Sequence, residues 1–184
     1  AIPVVGASFA DGAALAQAGS IAYVQVPPAE TRPQVNVIAE LPGKNDDNVV
    51  MAGGHLDSVR AGPGINDNGS GSATILEIAE EMSEAGVTPR QKVRFAFWGA
   101  EESGLLGSEH YVDNLSDEGL SRIVANLNFD MVGSPNYVRF VYDGDGSAFG
   151  ATGPNGSARV ERVFLDYFAS QGLATSPTEF DGRS

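Results

Sequence analysis

Four short polar segments carry the residue types that can do chemistry in this chain. Their imidazole and acidic side chains belong to His55, Asp57, Asp67, Glu101, Glu102 and Asp130. Several carboxylates gathered in one cleft would repel one another, and a divalent cation relieves that repulsion. A donor set of imidazole and carboxylate without thiolate suits zinc in a catalytic role, and manganese or cobalt also fits. A carboxylate that bridges two such ions would hold them about 3.5–4 Å apart for hydrolysis.

Each segment taken alone has a simpler structural explanation. A histidine after a strand is more often a hydrogen-bonded structural residue than a metal ligand. Asp67 could cap a helix, and Glu101 and Glu102 could lie in a solvated turn. The presence of all the segments in one chain is what favours a metal site.

Predicted strands and one long helix position these residues. A polar segment directly follows each of three apolar strands, predicted at 48–52, 92–98 and 123–129. Asp67 lies in a Gly-rich loop that opens an amphipathic helix predicted over about 72–85. In sheets whose strands alternate with helices, functional groups gather at the carboxyl ends of the strands. We therefore predict an α/β three-layer sandwich with a mixed, largely parallel central sheet flanked by helices.

The remaining pattern predicts further elements around this centre. Ser8 begins a capping box for a helix that runs to about Gln17, and a Pro-rich break at 27–33 is the best linker candidate. A strand at 35–41 and the strand at 48–52 are expected to form a hairpin or to be neighbours in one sheet. Other strands are predicted at 2–5, 22–26 and 137–142, and other helices at 105–115 and 160–171.

Composition limits the partners of the chain. The 184 residues include 24 acidic and 11 basic side chains, which give a formal net charge of −13. This charge argues against nucleic acid or an anionic membrane as the main partner, because both attract basic patches. The lack of cysteine excludes disulfides, thiolate metal sites and a thiol nucleophile. No apolar run has the length of a membrane span, and a chain that does not begin with Met is expected to be processed or trimmed.

The polar segments also resemble those of a known family. They are, in chain order, Gly54-His55-Leu56-Asp57-Ser58, Gly64-Ile65-Asn66-Asp67-Asn68-Gly69-Ser70-Gly71, Trp98-Gly99-Ala100-Glu101-Glu102 and Asn128-Phe129-Asp130-Met131. In them the chain resembles the di-zinc aminopeptidases of peptidase family M28, especially the secreted Streptomyces-type enzymes. The resemblance implies that residues 31–184 form a partial catalytic domain that is incomplete at its C-terminus. Residues 1–30 resemble the C-terminal part of a protease-associated domain with its linker.

The resemblance implies a role for each residue of the metal site. His55 and Asp130 would bind one zinc, Glu102 would bind the second, and Asp67 would bridge both. Glu101 would be the general base that takes a proton from a zinc-bridging water. The reaction implied is hydrolysis of the N-terminal bond of peptides that have a free N-terminus. The enzyme would be bacterial and secreted or on the cell surface.

Two more residues receive supporting roles from the resemblance. Asp57 would hydrogen-bond the imidazole of His55 and orient it. Arg183, in the Asp-Gly-Arg-Ser sequence at 181–184, would contact the carbonyl region of the substrate and help to stabilise the oxyanion.

One expected zinc ligand has no counterpart in the chain. The family's second-zinc histidine lies downstream of the Asp-Gly-Arg-Ser sequence, and the other histidine here, His110, is expected to be a surface or helix-packing residue. The chain thus offers four of five ligands. We expect the complete enzyme to hold two zinc ions, and residues 1–184 alone to hold at most one tightly and to be inactive.

Other functions remain open at this point. The same fold can serve as a non-catalytic peptide- or protein-binding module, or as a glutaminyl cyclase with a single zinc. A carboxypeptidase or an amidase on the same core is also compatible with the ligand set. The intact set of one histidine and four carboxylates favours an enzyme over a binding module.

A second acidic segment, Asp143-Gly144-Asp145-Gly146-Ser147, looks like the start of a calcium loop. It lacks the Asp or Asn at the fifth position and the Glu at the twelfth that an EF-hand requires. We therefore expect a solvated turn there.

Overall fold

The computed structural model describes residues 4–28 and 30–180. The chain divides into two compact units, residues 1–33 and residues 34–184. In the described part of the first unit, helix α1 (Phe9–Leu15) is the one regular element. Ser8 caps this helix as predicted, because its hydroxyl accepts the backbone N–H of Asp11 at 3.1 Å.

The strands predicted in the first unit are corrected by the structure. Residues 22–26 form no strand, and neither do Val4 and Val5, while the rest of the predicted strand at 2–5 lies outside the described residues. A strand is stable only beside a hydrogen-bonded partner, and the described part of this unit offers no such pairing.

The second unit contains a four-stranded sheet, a two-stranded sheet, four α-helices and one short π-helical turn (Ile65–Ser70) among the described residues. The strands are β1 (Val37–Leu41), β2 (Asn45–His55), β3 (Gln91–Trp98), β4 (Ile123–Asn128), β5 (Phe140–Tyr142) and β6 (Ser176–Thr178). The helices are α2 (Gly71–Glu84), α3 (Leu106–Asp113), α4 (Asp117–Ser121) and α5 (Ser157–Ser170). None of the helices in the described residues combines the length and the apolar character needed to cross a membrane.

The larger sheet is mixed. Its order is β1-β3-β2-β4, in which β2 is parallel to both β3 and β4 while β1 is antiparallel to β3. Helix α2 packs on one face, where Ile75 contacts Ala52 and Phe95, and Tyr111 of α3 packs against Trp98. The sheet with its flanking helices confirms the predicted fold class.

The predicted hairpin between the first two strands is wrong. Both strands belong to the same sheet, but β3 lies between them. Their burial explains this order: the C-terminal half of β2 is buried throughout, whereas most of β1 is exposed. The buried strand takes an inner position and the exposed strand takes the edge.

Element ends differ modestly from the predictions. The strand predicted at 137–142 is shorter (β5), and the helix predicted at 160–171 begins earlier (α5). Strands β5 and β6 pair in parallel as a separate small sheet. The expectation of a solvated turn at residues 143–147 is wrong for its first residue, since Asp143 is 0% exposed.

Candidate metal centre

The carboxyl ends of β2, β3 and β4 lie level with one another. His55 is paired with Trp98, and Gly53 is paired with Asn128. The residues that directly follow these strands therefore meet at one edge of the sheet. This register brings Glu101 and Asp130 to the imidazole at the end of β2.

His55 lies at the centre of an acidic cluster. Its side chain is 3% exposed, and its Nε2 atom is 3.2 Å from Oδ1 of Asp67, 3.6 Å from Oδ1 of Asp130 and 3.9 Å from Oε2 of Glu101. Ligand atoms on one tetrahedral zinc, bound at about 2.0–2.2 Å, are roughly 3.3–3.6 Å apart. The distances from His55 to Asp67 and to Asp130 therefore fit ligands of a single zinc ion.

The hydrogen bond of the second ring nitrogen of His55, Nδ1, indicates which nitrogen carries a proton. Nδ1 lies 3.0 Å from the backbone carbonyl oxygen of Asp57. A carbonyl can only accept, so Nδ1 carries the proton and donates it, and Nε2 is the ring nitrogen that faces the carboxylates. The ring is thus set in the tautomer that binds a metal.

The acidic groups of the cluster shift the pKa of His55 and of one another. Burial disfavours a charged ring at His55, but the negative charges of Asp130, Glu101 and Asp67 and the hydrogen bond to the Asp57 backbone together outweigh burial and raise the pKa of His55. Burial also raises the pKa of Glu101, and Glu102 and Asp130 act in the same direction while His55 opposes them. A divalent cation would reverse this repulsion.

Asp57 supports the cluster in a way that differs from the sequence expectation. Its carboxylate is 3.6 Å from Nδ1 of His55, and the carbonyl of the same residue makes the orienting hydrogen bond instead. The carboxylate accepts the backbone N–H of Glu101 at 2.9 Å and that of Glu102 at 3.2 Å. Asp57 therefore holds the segment that carries both glutamates.

Two asparagines that the sequence analysis did not single out hold the loop of Asp67. The buried amide of Asn68 donates to the carbonyl of Phe129 at 2.9 Å, and its oxygen accepts the backbone N–H of Gly71 at 2.9 Å. Asn66 accepts the backbone N–H of Gly133 at 3.1 Å. Both asparagines thus tie the loop to the segment around Asp130. Their position on either side of Asp67 in a Gly-rich loop is the signal that could have identified them.

Close backbone contact at Gly71 completes this arrangement. A Cβ at this position would lie 2.2 Å from the carbonyl oxygen of Phe129, so only glycine fits. The next residue, Ser72, donates its hydroxyl to the carbonyl of His55 at 2.8 Å. The first turn of α2 is therefore anchored to the ends of both β2 and β4.

Two backbone outliers flank the acidic residues. Ala100, directly before Glu101, has φ of 57°, and Met131, directly after Asp130, has φ of 50°. Residues other than glycine rarely adopt positive φ, and such conformations concentrate at functional sites. One such residue comes directly before the segment of Glu101 and Glu102, and the other directly after Asp130.

The cluster offers two overlapping sets of ligand atoms. His55, Asp67 and Asp130 form one set and His55, Glu101 and Glu102 form the other, and within each set the ligand atoms lie within 4.8 Å of one another. His110 is not in the cluster, since it lies exposed on α3 and contacts Asn114, as expected for a surface residue. Arg183 lies outside the described residues.

Comparisons with known proteins give the family context. The sequence profile of peptidase family M28 matches residues 36–184. The chain is 53% identical over 186 residues to an aminopeptidase of Pseudomonas aeruginosa, matching 100% of this chain and 34% of that protein. It is 50% identical to a probable leucine aminopeptidase 2 of Aspergillus fumigatus, matching 99% of this chain and 37% of that protein.

A solved structure agrees with these matches. The structure of BSAP, a zinc aminopeptidase from Bacillus subtilis, is similar with a TM-score of 0.64 and 35% identity, covering 77% of this chain and 33% of that one. The chain spans about a third of the length of the curated relatives it matches.

Proposed function

Because the chain belongs to peptidase family M28, we propose that the whole protein is a zinc-dependent aminopeptidase. Its reaction is hydrolysis of the N-terminal bond of peptides that have a free N-terminus. The observation that carries this proposal is the cluster in which the metal-binding nitrogen of His55 faces Asp67 and Asp130 at 3.2 and 3.6 Å.

The donor atoms of the cluster suit zinc. His55 and Asp130 would hold one ion, Asp67 would reach both ions, and Glu102 would belong to the second. Zinc held there would polarise the substrate carbonyl and lower the pKa of water to about 7.

Glu101 is the general base in this proposal. Its burial raises the pKa of the carboxyl, which suits a group that must both take up and release a proton near neutral pH. Asp57 fixes the backbone of Glu101, so that the carboxylate is held beside the cluster. Glu101 would take a proton from the attacking water and pass it to the leaving amine.

Charge complementarity supports an exopeptidase. Carboxylates beside the metals can hold the α-ammonium group of a free N-terminus. Arg183, by resemblance alone, would contact the carbonyl region of the substrate. Cleavage is then restricted to the first residue, because an internal bond presents no positive charge to the acidic groups.

The family resemblance also supports a secreted or cell-surface location for the whole protein. Fractionation of the source cells would test this proposal, with the protein expected in the medium or at the cell surface. Recovery in the cytosol alone would contradict it.

Substitution of the proposed base tests the function. We expect Glu101→Gln in the whole protein to lower kcat by at least about 10²–10⁴-fold on peptide substrates, with the zinc content unchanged. Glu109→Gln, at an exposed glutamate on α3, is the matched control and should keep wild-type activity. Full activity in Glu101→Gln would show that the base is wrongly assigned.

Assays of the wild-type protein with peptide substrates distinguish the alternative functions. Release of the first amino acid supports the aminopeptidase. Conversion of an N-terminal glutamine to a pyroglutamyl end without release would indicate a glutaminyl cyclase instead. Peptide binding without any turnover would indicate a binding module.

A further inference from the structure

The turn between β3 and α3 carries Glu101 and Glu102. Asp57 holds the middle of this turn, because its carboxylate accepts the backbone N–H groups of both glutamates. Gly99 begins the turn at the end of β3, and Gly107 follows it in the first turn of α3. The two bonds to Asp57 reach neither of these glycines, so the ends of the turn are held by other groups.

Asn36, directly before β1, joins the two ends of the turn. Its Oδ1 atom accepts the backbone N–H of Gly99 at 3.0 Å, and its Nδ2 atom donates to the carbonyl of Gly107 at 2.8 Å. A side-chain amide carries an acceptor and a donor on one plane. A single half-buried side chain therefore closes the base of the turn with both of its polar atoms.

The strand order of the sheet places Asn36 at this point. Strand β1 is antiparallel to β3, and Val37 is paired with Phe97, so the residue before β1 lies level with the carboxyl end of β3. Asp57 follows β2, which borders β3 on the other side. The turn after β3 is thus held from both neighbouring strands, by Asn36 on one side and by Asp57 on the other.

Close packing makes this anchor specific. A Cβ on Gly107 would overlap both Oδ1 of Asn36 and the carbonyl oxygen of Gly99, so the backbone approaches the amide as closely as only glycine allows. Gly99 is itself buried, and its N–H would lose its acceptor if the amide were removed. A buried donor without an acceptor is costly, so the turn would shift to satisfy it.

We propose that Asn36 is a positioning residue for Glu101. This inference rests on the proposed function, in which Glu101 is the general base. A base must lie within hydrogen-bond reach of the proton it removes, and a displacement of about 1 Å can lower a rate about 10²-fold. Asn36 acts through the backbone on either side of the base, although it is 63 residues from Gly99 along the chain.

Removal of the amide should affect turnover more than substrate binding. In the whole, zinc-loaded protein we expect Asn36→Ala to lower kcat by about 10–100-fold and to change KM by less than about threefold. Zinc content should match that of the wild type, since the ring of His55 is oriented by Asp57 and not by Asn36. A purely structural role would lower the Tm and leave the kcat of the folded protein unchanged.

Asn36→Asp separates the two hydrogen bonds of the amide. The carboxylate has the same shape and can still accept the N–H of Gly99, but it cannot donate to the carbonyl of Gly107. We expect this variant to fold and still to lower kcat by about 10-fold. Asn114→Ala is the matched control and should keep the wild-type kcat, because Asn114 also donates its amide to a backbone carbonyl, that of His110 at 2.7 Å, at the exposed end of α3.

A double-mutant cycle tests whether Asn36 acts through Glu101. Residues that act as one unit have non-additive effects. In the Glu101→Gln background, Asn36→Ala should therefore lower the residual kcat by less than about threefold. Equal fold losses in the two backgrounds would show that Asn36 acts elsewhere and would overturn the proposal.

Hydrogen exchange gives a readout that does not use enzymatic activity. Measured by mass spectrometry, exchange over residues 99–107 should be faster in Asn36→Ala than in the wild type or in Asn114→Ala. Unchanged exchange, or a wild-type kcat in both Asn36 variants, would overturn the proposal. Full activity of Glu101→Gln would instead contradict the proposed base, so the two failures can be told apart.

Discussion

At the residue scale, Asp57 acts on two neighbours through two different groups. Its carbonyl accepts the proton of the His55 ring, and its carboxylate accepts the backbone N–H groups of Glu101 and Glu102. The tautomer of the ring is therefore independent of the side chain at position 57. The placement of the two glutamates, by contrast, depends on it.

This separation predicts the effect of Asp57→Ala in the whole protein. The N–H of Glu101, which is partly buried, and that of Glu102, which is exposed, lose their acceptor, so the free energy of unfolding should fall by about 1–3 kcal/mol. We expect kcat to fall about 10–100-fold, because the segment that carries the proposed base is displaced. Zinc content should stay close to that of the wild type, since His55 keeps its carbonyl partner.

Asp113→Ala, at an exposed residue on α3, serves as the control in the same measurements. If Asp57→Ala lost zinc but kept the wild-type kcat per bound metal ion, the separate roles of the Asp57 carbonyl and carboxylate would be contradicted. Chemical denaturation, elemental analysis and steady-state kinetics together separate the two outcomes.

The sequence predicted which residues form the site better than it predicted the hydrogen-bond partners of those residues. The six polar residues of the site are visible because imidazole and carboxylate side chains follow apolar strands. The acceptor for His55 is a main-chain carbonyl, and every residue has one, so no sequence pattern could identify it. The position of Asn66 and Asn68 beside Asp67 was the one signal for their role, and it was weak because asparagine in a Gly-rich loop is also typical of an ordinary turn.

At the element scale, the edge strand β1 is held by charges that cross to β3. Glu40 lies opposite Arg94 in the register of the two strands. Its carboxylate accepts a hydrogen bond from Nε of Arg94 at 2.8 Å and lies 3.0 Å from Nζ of Lys92. Cross-strand pairs of opposite charge stabilise an antiparallel pairing modestly.

This contact predicts a specific acid sensitivity. Burial alone would raise the pKa of Glu40, but the hydrogen bonds and charges of Lys92 and Arg94 outweigh it and lower the pKa below its usual 4.5. A lowered pKa in the folded state gives stability that is present above pH 4.5 and lost as the pH falls through the folded-state value.

Glu40→Gln should remove this contribution. At pH 7 we expect it to be less stable than the wild type by no more than about 1 kcal/mol, since the pair is partly exposed. The difference should shrink as the pH falls below 4.5. Urea unfolding across this range measures it, with Glu80→Gln on the exposed side of α2 as the control. A difference that stays constant with pH would contradict the assignment.

Periodicity in the sequence predicted several helices and strands of the second unit, but it did not predict which strands lie side by side. Helix α2 and strands β3 and β4 lie within a residue or so of their predicted bounds. The predicted pairing of β1 with β2 was wrong. It was predicted because a polar turn between two apolar strands is typical of a hairpin. Burial across the whole sheet, which is not a local property, places β3 between them.

At the scale of the whole molecule, a family is shown for the second compact unit, whereas the family of the first unit is a prediction. Residues 36–184 match the M28 family profile. The assignment of residues 1–30 to a protease-associated domain stays a prediction, because the first unit has a single short helix among its described residues and no strand from which a domain could be recognised.

Metal stoichiometry can be predicted at this scale. The cluster contains one imidazole, which both ligand sets share, and the other histidine is exposed on α3. The set of His55, Asp67 and Asp130 is the better zinc site, because Nε2 of His55 lies 3.2 and 3.6 Å from its carboxylates but 3.9 Å from Glu101. We expect residues 1–184, produced alone, to retain at most one zinc ion per chain after dialysis. His55→Ala should retain none. Elemental analysis of a monomeric sample that finds two tightly bound zinc ions would overturn this prediction.

The level ends of β2 and β4 also have a consequence for folding. His55, Asp67 and Asp130 come together only when these strands pair, so an ion that needs all three binds the folded sheet and not the unfolded chain. Such an ion at 100 times its Kd would add about 2.7 kcal/mol to the free energy of unfolding. The free metal concentration where the chain folds would thus help to set the fraction of molecules that stay native and escape proteolysis.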